Sequence, residues 1–178
     1  MELGKLNFSK VAIGVDPPSG GGTCGIIACA LDHDGVGHVL ADHSIGGTSP
    51  EGWARKVAEA AALYPDALIV AEVNQGGKMV ESVLRAAGAK DGGAALRIKL
   101  VRASEGKSAR AEPVAMLFEQ RRVRLHGRFP EMEAELCGLI AGGGYQGPGA
   151  SPDRADAMVW ALGELMLRPR AEPRVTQL

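Results

Sequence analysis

Two short, nearly continuous apolar runs, each ending at or near an acidic residue, most constrain the fold of this 178-residue chain. Residues 11–16 read VAIGVD and residues 67–73 read ALIVAEV. Runs of this length without polar alternation are typical of strands that are buried on both faces of a sheet, as in sheets covered by helices. The sequence therefore predicts an α/β protein whose central strands carry Asp16 and Glu72 at their ends.

The segments around these runs predict the order of the other elements. Strands over 24–31 and 38–45 flank Asp34-Gly35, a dipeptide typical of a hairpin turn. Helices and strands then alternate, as crossovers between parallel strands require. We predict strands at 11–16, 24–31, 38–45, 67–73 and 96–103, helices at 50–63, 78–87 (stopping at Gly88), 109–120, 130–140 and 151–167, and a short extended piece at 123–126.

This element order predicts a mixed five-stranded sheet flanked by helices. The first three strands are expected to be antiparallel, and the later strands are expected to run parallel to the first. The predicted domain covers 11–167, after a lead-in over 1–10 and before a tail over 168–178. A chain of this length can bury one good hydrophobic core.

Composition argues against several classes of protein. No apolar run reaches the roughly 18 residues of a membrane-spanning helix, and residues 1–10 lack the apolar stretch of a signal peptide. The three cysteines show no CxxC spacing, which favours a reduced, intracellular protein. We therefore expect a cytoplasmic location and no membrane partner.

Charge is distributed unevenly along the chain. The formal net charge is −1, yet residues 97–128 contain nine basic and three acidic side chains. A basic segment of this kind is a candidate binding surface for phosphate. Charges scattered over a solvated face explain the same composition, so charge alone leaves both interpretations open.

Four acidic residues lie where an acid is costly or unexpected. Asp16 and Glu72 end buried strands, and parallel neighbours place both at the same edge of the sheet. Asp153 and Asp156 lie three residues apart in the last helix, so they share one helix face. Each acid also has an ordinary explanation on its own. Asp16 could be a turn residue, and Glu72 could face solvent at the end of its strand. Asp153 could be a first-turn acid favoured by the helix dipole, and Asp156 could be exposed on its helix.

Together, the four carboxylates suit two divalent cations. Mg²⁺ and Mn²⁺ prefer hard oxygen ligands. A pair of such ions activates a water molecule and stabilises the leaving oxygen in phosphodiester cleavage. The combination therefore predicts a site for two Mg²⁺ or Mn²⁺ ions that acts on phosphodiesters.

Four segments together resemble one known protein family. They are VAIGVDPP, IVAEVNQGG, VRASEGKSARAEPVAMLFEQRRV and SPDRADAMVWAL. The combination is similar to the C-terminal nuclease domain of large terminase subunits, the DNA-packaging motors of tailed bacteriophages, prophages and gene-transfer agents. The resemblance extends over about residues 10–167 and implies a ribonuclease H-like fold and metal-dependent cleavage of double-stranded DNA.

The resemblance also implies roles for individual residues. Carried across, the catalytic metal ligands are Asp16, Glu72 and Asp156, and Asp153 matches the position of a further ligand that varies within the family. The basic segment resembles the family's DNA-facing region. Its implied DNA contacts are Lys107, Arg110 and Arg102.

One departure from the family pattern concerns ATP. A complete large terminase begins with an ATPase domain. The only segment of this sequence that resembles an ATP-binding P-loop is EGKS at 105–108. Because Val101 stands where a P-loop needs its first glycine, we expect no ATP-binding loop. The chain is expected to be an isolated nuclease domain, whose full-length protein would add the ATPase domain and engage the terminase small subunit and the portal.

Two other functions stay open on the sequence. The chain could be a different ribonuclease H-like nuclease, either a junction resolvase or a ribonuclease acting on RNA–DNA hybrids. Alternatively, it could be a docking module that contacts the portal or the small subunit and is inactive in isolation.

Overall fold

The computed structural model describes residues 7–18, 20, 22–74, 76–89 and 95–168. Its strands are β1 (Phe8–Asp16), β2 (Thr23–Asp32), β3 (Gly37–Asp42), β4 (Ile45–Gly46), β5 (Leu68–Glu72), β6 (Arg97–Val101) and β7 (Val123–Leu125). Its helices are α1 (Pro50–Ala62), α2 (Lys78–Ala89), α3 (Lys107–Glu119), α4 (Pro130–Cys137) and α5 (Asp153–Leu162), which continues as a π-helical segment, Gly163–Leu167. The predicted lead-in up to residue 6 and the predicted tail from residue 169 lie outside the described residues.

The strands form one mixed sheet in the order β6-β5-β1-β2-β3-β7, and β4 pairs with β2. β1, β2 and β3 are antiparallel neighbours, whereas β5 runs parallel to β1 and β6 runs parallel to β5. These pairings confirm the predicted α/β class and strand directions. The sheet is wider than the five predicted strands, because the short extended piece becomes β7 and pairs in parallel with β3.

Helices cover both faces of the sheet and bury its central strands. On one face, α3, α4 and α5 pack through residues such as Val114, Met132 and Met158. On the other face, α1 and α2 pack against Ile13 and Val15 of β1. Because successive strand residues point to opposite faces, one apolar run supplies both cores. Within the described part of the chain, no helix is long and apolar enough to cross a membrane.

Two element boundaries differ from the prediction for clear packing reasons. β1 begins at Phe8 rather than Val11, because Phe8 pairs with Asp32 at the end of β2. α2 continues through Gly88, the predicted stop. Gly88 is buried, and a Cβ there would lie 2.7 Å from the Leu96 side chain. This glycine therefore permits close packing and does not end the helix.

The third strand and the last two helices are shorter than predicted. β3 ends at Asp42, whose carboxylate accepts a hydrogen bond from the Ser44 backbone N–H, and β4 follows separately. α4 ends at Cys137, and beyond it Leu139 forms a β-bridge with Tyr145, which lies in a glycine-rich loop at 141–150. The predicted helix over 151–167 is α-helical only within α5.

Candidate metal centre

Asp16, Glu72 and Asp156 meet at one edge of the sheet. Asp16 ends β1 and Glu72 ends β5, and these parallel strands pair as far as Val15 and Ala71. Each acid offers one carboxylate oxygen, and the three oxygens lie within 4.8 Å of one another. The three residues are only 5%, 8% and 2% exposed, respectively. Their burial excludes the solvent-facing explanations for Glu72 and Asp156.

α5 reaches this edge because two glycines let its backbone lie directly on the strands. Gly25 of β2 pairs with Asp16, and a Cβ at Gly25 would overlap the backbone carbonyl of Asp153. A Cβ at Gly14 of β1 would overlap the backbone carbonyl of Ala157. A larger residue at either position would push the helix away, so these glycines set the distance between α5 and the strand-end acids.

Glu135 of α4 caps the start of α5. Pro152, which precedes α5, makes no side-chain cap. Glu135 is buried and accepts hydrogen bonds from the Ala155 backbone N–H at 2.9 Å and from Arg154 at 3.3 Å. Burial raises the pKa of Glu135, although these bonds oppose the shift. Glu135 was not among the residues predicted from the sequence. It lies three residues after Met132, on the apolar side of the predicted helix, and this spacing is the signal that points to a buried acid.

Lys107, the first residue of α3, places its ammonium group among the acids. Its Nζ lies 2.6 Å from Asp16 Oδ2, 3.2 Å from Asp153 Oδ1 and 3.5 Å from Asp156 Oδ2. It also donates a hydrogen bond to the Ser151 hydroxyl at 2.9 Å. Burial by itself would lower the pKa of Lys107, but the facing carboxylates raise it. Lys107 is therefore a charged counter-cation of the acidic centre.

Arg110, one turn further along α3, holds the other side of the centre. Its Nη2 lies 2.5 Å from Asp156 Oδ2 and 3.4 Å from Glu72 Oε2. Its Cζ lies 4.8 Å from the centroid of the Trp160 ring, a cation–π contact. The side chain is only 10% exposed, so in this structure Arg110 faces the carboxylates and not an open surface.

The electrostatics of the centre favour binding of a cation. Burial, followed by repulsion from Asp156, raises the pKa of Asp16 to about 8. Burial also raises the pKa of Asp156 to about 6, although Arg110 and Lys107 oppose the shift. Asp156 Oδ1 is buried and has no hydrogen-bond partner among the described residues. Four carboxylates with two counter-cations and an unpartnered oxygen fit a divalent ion.

The predicted DNA contacts occupy three different environments. Lys107 lines a cleft of about 950 Å³, and Asp16 and Glu72 also line it. Arg102 is exposed and directly follows β6, at the same sheet edge as Glu72. Arg110 is enclosed behind the acids. Lys107 is thus placed to meet a ligand in the cleft, Arg102 lies exposed at the same edge of the sheet, and Arg110 has an internal position.

The fold and this site define a class of protein: a ribonuclease H-like α/β domain with an acidic centre at the edge of its sheet. The chain belongs to the terminase RNase H-like domain family, whose model matches residues 13–165. No curated protein sequence matches the chain at a significant level.

Solved structures of low sequence identity share this fold. The large terminase nuclease from thermophilic phage G20c with bound magnesium has a TM-score of 0.67 and 17% identity, over 87% of this chain and 81% of that chain. The HK97 bacteriophage large terminase has a TM-score of 0.59 and 15% identity, over 87% of this chain and 39% of that chain. The yeast mitochondrial Holliday junction resolvase has a TM-score of 0.54 and 12% identity, over 90% of this chain and 81% of that chain. These likenesses confirm the predicted ribonuclease H-like fold.

Proposed function

We propose that this chain is a metal-dependent endonuclease that cuts double-stranded DNA during viral genome packaging. The observation that carries the proposal is the meeting of three buried carboxylates, from β1, β5 and α5, within 4.8 Å of one another. Membership of the terminase RNase H-like family supports a role in DNA packaging. The likeness to the G20c terminase nuclease supports phosphodiester cleavage as the reaction.

The proposed cofactors are two Mg²⁺ or Mn²⁺ ions held by the acids of the centre. Asp16 would contribute to both ions, Glu72 and Asp156 to one each, and Asp153 would support them. Such ions would supply an activated water and stabilisation of the leaving oxygen. The magnesium bound by the G20c nuclease supports this choice, and the same protein has been solved with zinc and with cobalt.

The basic residues near the centre have separate proposed roles. Lys107 lines the cleft and would exchange a carboxylate contact for a phosphate oxygen as DNA enters. Arg102 would contact the DNA backbone beside the centre, since it is exposed and directly follows β6 at the sheet edge of Glu72. Arg110 would keep Glu72 and Asp156 in place, because its guanidinium bridges their carboxylates.

We further propose that this domain acts as one part of a larger packaging machine in the bacterial host cytoplasm. An ATPase domain, the terminase small subunit and the portal would be its partners there. The chain spans only 39% of the HK97 large terminase, which supports an arrangement in which the nuclease is one part of a longer protein.

The test is Mn²⁺-dependent nicking of a supercoiled plasmid by the purified chain. Asp16→Asn and Asp156→Asn should abolish nicking while circular dichroism reports an unchanged fold. Asp34→Asn is the matched control, because it removes the same charge from the exposed β2–β3 turn at the other end of β2. Nicking by Asp16→Asn at the wild-type rate would contradict the proposal.

A junction resolvase is the second candidate, favoured by the likeness to the yeast resolvase. Linear duplex, four-way junction and RNA–DNA hybrid should be compared at equal concentrations. A preference for linear duplex supports the packaging role, and a preference for the junction supports the resolvase. Metal binding without cleavage of any substrate would favour a docking module.

A further inference from the structure

Glu72 is held through a single carboxylate oxygen. The Trp160 indole Nε1–H donates a hydrogen bond to Glu72 Oε2 at 2.8 Å. Arg110 Nη2 lies 3.4 Å from the same oxygen. Among the residues that the structure describes, no hydrogen bond reaches Glu72 Oε1. The two donors therefore fix the rotation of the carboxylate and leave one defined oxygen free.

Trp160 is itself fixed in place by its surroundings. It lies one helical turn beyond Asp156 on α5, and its ring packs against the buried core formed by α3, α4 and α5. Arg110 stacks over the ring while its guanidinium also holds Asp156. One helix thus carries both an acid of the centre and the group that orients the acid at the end of β5.

If Trp160 served only to pack the core, its hydrogen bond to Glu72 would not be needed. The indole N–H is a donor without acceptor capacity, and here it points at a buried carboxylate and not at water or a backbone carbonyl. A hydrogen bond to an ionised group is worth more than one between neutral groups. Phe118 and Leu136, which pack partly buried against the same core, show that apolar side chains serve the packing role there.

We propose that Trp160 is a positioning residue of the metal centre, which holds Glu72 through Oε2 and leaves Oε1 available to a metal ion. This inference rests on the proposed metal site. Groups that orient metal ligands in this way contribute about 10- to 100-fold to metal affinity in other proteins. Trp160 would therefore act on metal binding without touching the metal or DNA.

Calorimetric titration with Mn²⁺ tests the inference. Trp160→Phe keeps an aromatic ring and removes the N–H, so it should weaken Mn²⁺ binding about tenfold or more. Trp53→Phe is the matched control, because Trp53 is buried on the other face of the sheet and should leave the affinity unchanged. Thermal unfolding of both variants checks that the fold is retained.

The outcomes separate this inference from the proposed function. If the wild-type chain binds no Mn²⁺, the metal site itself is wrong and the role of Trp160 falls with it. If the wild-type chain binds Mn²⁺ and Trp160→Phe binds it equally well, only the role of Trp160 is overturned.

Nuclear magnetic resonance gives a second readout that needs neither metal nor activity. The chain has two tryptophans, so a ¹⁵N-labelled sample gives two indole N–H signals, which Trp160→Phe assigns. Glu72→Gln removes the charge that Trp160 faces and should shift the Trp160 signal upfield, with the Trp53 signal unmoved. If the chemical shift of the Trp160 indole N–H is the same in Glu72→Gln as in the wild type, the inference is overturned, even if Trp160→Phe weakens the fold.

Discussion

Gly25 of β2 lies directly against the backbone carbonyl of Asp153, with no room for a Cβ between them. Gly25 is also the β2 partner of Asp16. The first turn of α5 is thereby brought down onto the strand end that carries the first acid. This contact explains how an acid at residue 16 and an acid at residue 156 come to share one site.

Replacement of Gly25 tests this relationship. We expect Gly25→Ala to lower the free energy of unfolding by about 1–3 kcal/mol, since a methyl group forced into a close-packed contact must displace the helix. Mn²⁺ binding should weaken in the same variant. Urea unfolding and calorimetric titration measure the two effects.

Gly163→Ala is the matched control for this substitution. A Cβ at Gly163 meets nothing within 4 Å and its backbone is helical, so stability should stay equal or rise slightly. Wild-type stability and wild-type metal binding in Gly25→Ala would show that α5 does not depend on this contact.

Lys107 should compete with metal for the carboxylates. Its ammonium lies 2.6 Å from Asp16 Oδ2 and therefore already neutralises a carboxylate to which a metal ion would bind. We expect Lys107→Met to tighten Mn²⁺ binding in the absence of DNA by about tenfold, because a competing cation is removed. Cleavage of DNA should fall, because the proposed phosphate contact is also lost.

Lys99→Met controls for the change in total charge. Lys99 pairs with Glu164 at 2.8 Å and with none of the four acids, so its loss should leave Mn²⁺ affinity unchanged. Weaker Mn²⁺ binding by Lys107→Met would mean that Lys107 supports the metal site and does not compete with the ion.

Glu135 should support the site through the start of α5. Glu135→Ala removes the acceptor of the Ala155 N–H bond and a partner of Arg154, so we expect a loss of about 1.5–3 kcal/mol of unfolding free energy. Glu135→Gln should lose less, because its amide oxygen can still accept from Ala155. Equal stability of the two variants in urea unfolding would contradict this account of the cap.

Stability of the metal-free protein should fall as pH rises from about 6.5 to 8. The pKa of Asp16 is raised from its ordinary 3.8 to about 8, and that of Asp156 to about 6. In this window the folded chain holds protons that the unfolded chain has released, so the free energy of unfolding decreases with increasing pH. Bound Mg²⁺ replaces those protons, so its stabilising effect should grow with pH.

Thermal unfolding from pH 5 to pH 8, with and without Mg²⁺, measures this effect. The lowered pKa values of His43 and His126 change stability in the opposite direction below about pH 6.5, their ordinary value. The comparison is therefore made with Asp16→Asn, which should show a flatter dependence between pH 6.5 and pH 8. If stability depends on pH equally steeply in the wild type and in Asp16→Asn, Asp16 is not the source of the pH dependence.

The strand-end acids were predictable because they depend on local pattern and strand direction. An apolar run closed by an acid indicates a buried strand with a carboxylate at its end. The antiparallel order β1, β2, β3, followed by a helical crossover to β5, makes β1 and β5 parallel. Asp16 and Glu72 were therefore expected at one edge before any contact was known. The structure places them there, and their assignment as metal ligands stays a prediction for mutagenesis to test.

The partners of these acids depended on the tertiary structure alone. Lys107 and Asp16 are separated by 91 residues, and Trp160 and Glu72 by 88 residues. A basic segment is compatible with a phosphate-binding surface and with a solvated face, so composition could not show that Arg110 turns inward. Gly88 likewise has the sequence signature of a helix stop, and only its contact with Leu96 reveals a packing role.

The sequence by itself determined the fold class, the strand directions and the sheet edge at which the acids collect, because these follow from hydrophobic period and chain connectivity. The tertiary structure decided how close α5 approaches the strands, which cations neutralise the acids and which oxygen of Glu72 stays free. Those features depend on the fit of individual side chains from distant segments, where one methyl group at Gly25 or one indole N–H at Trp160 changes the outcome.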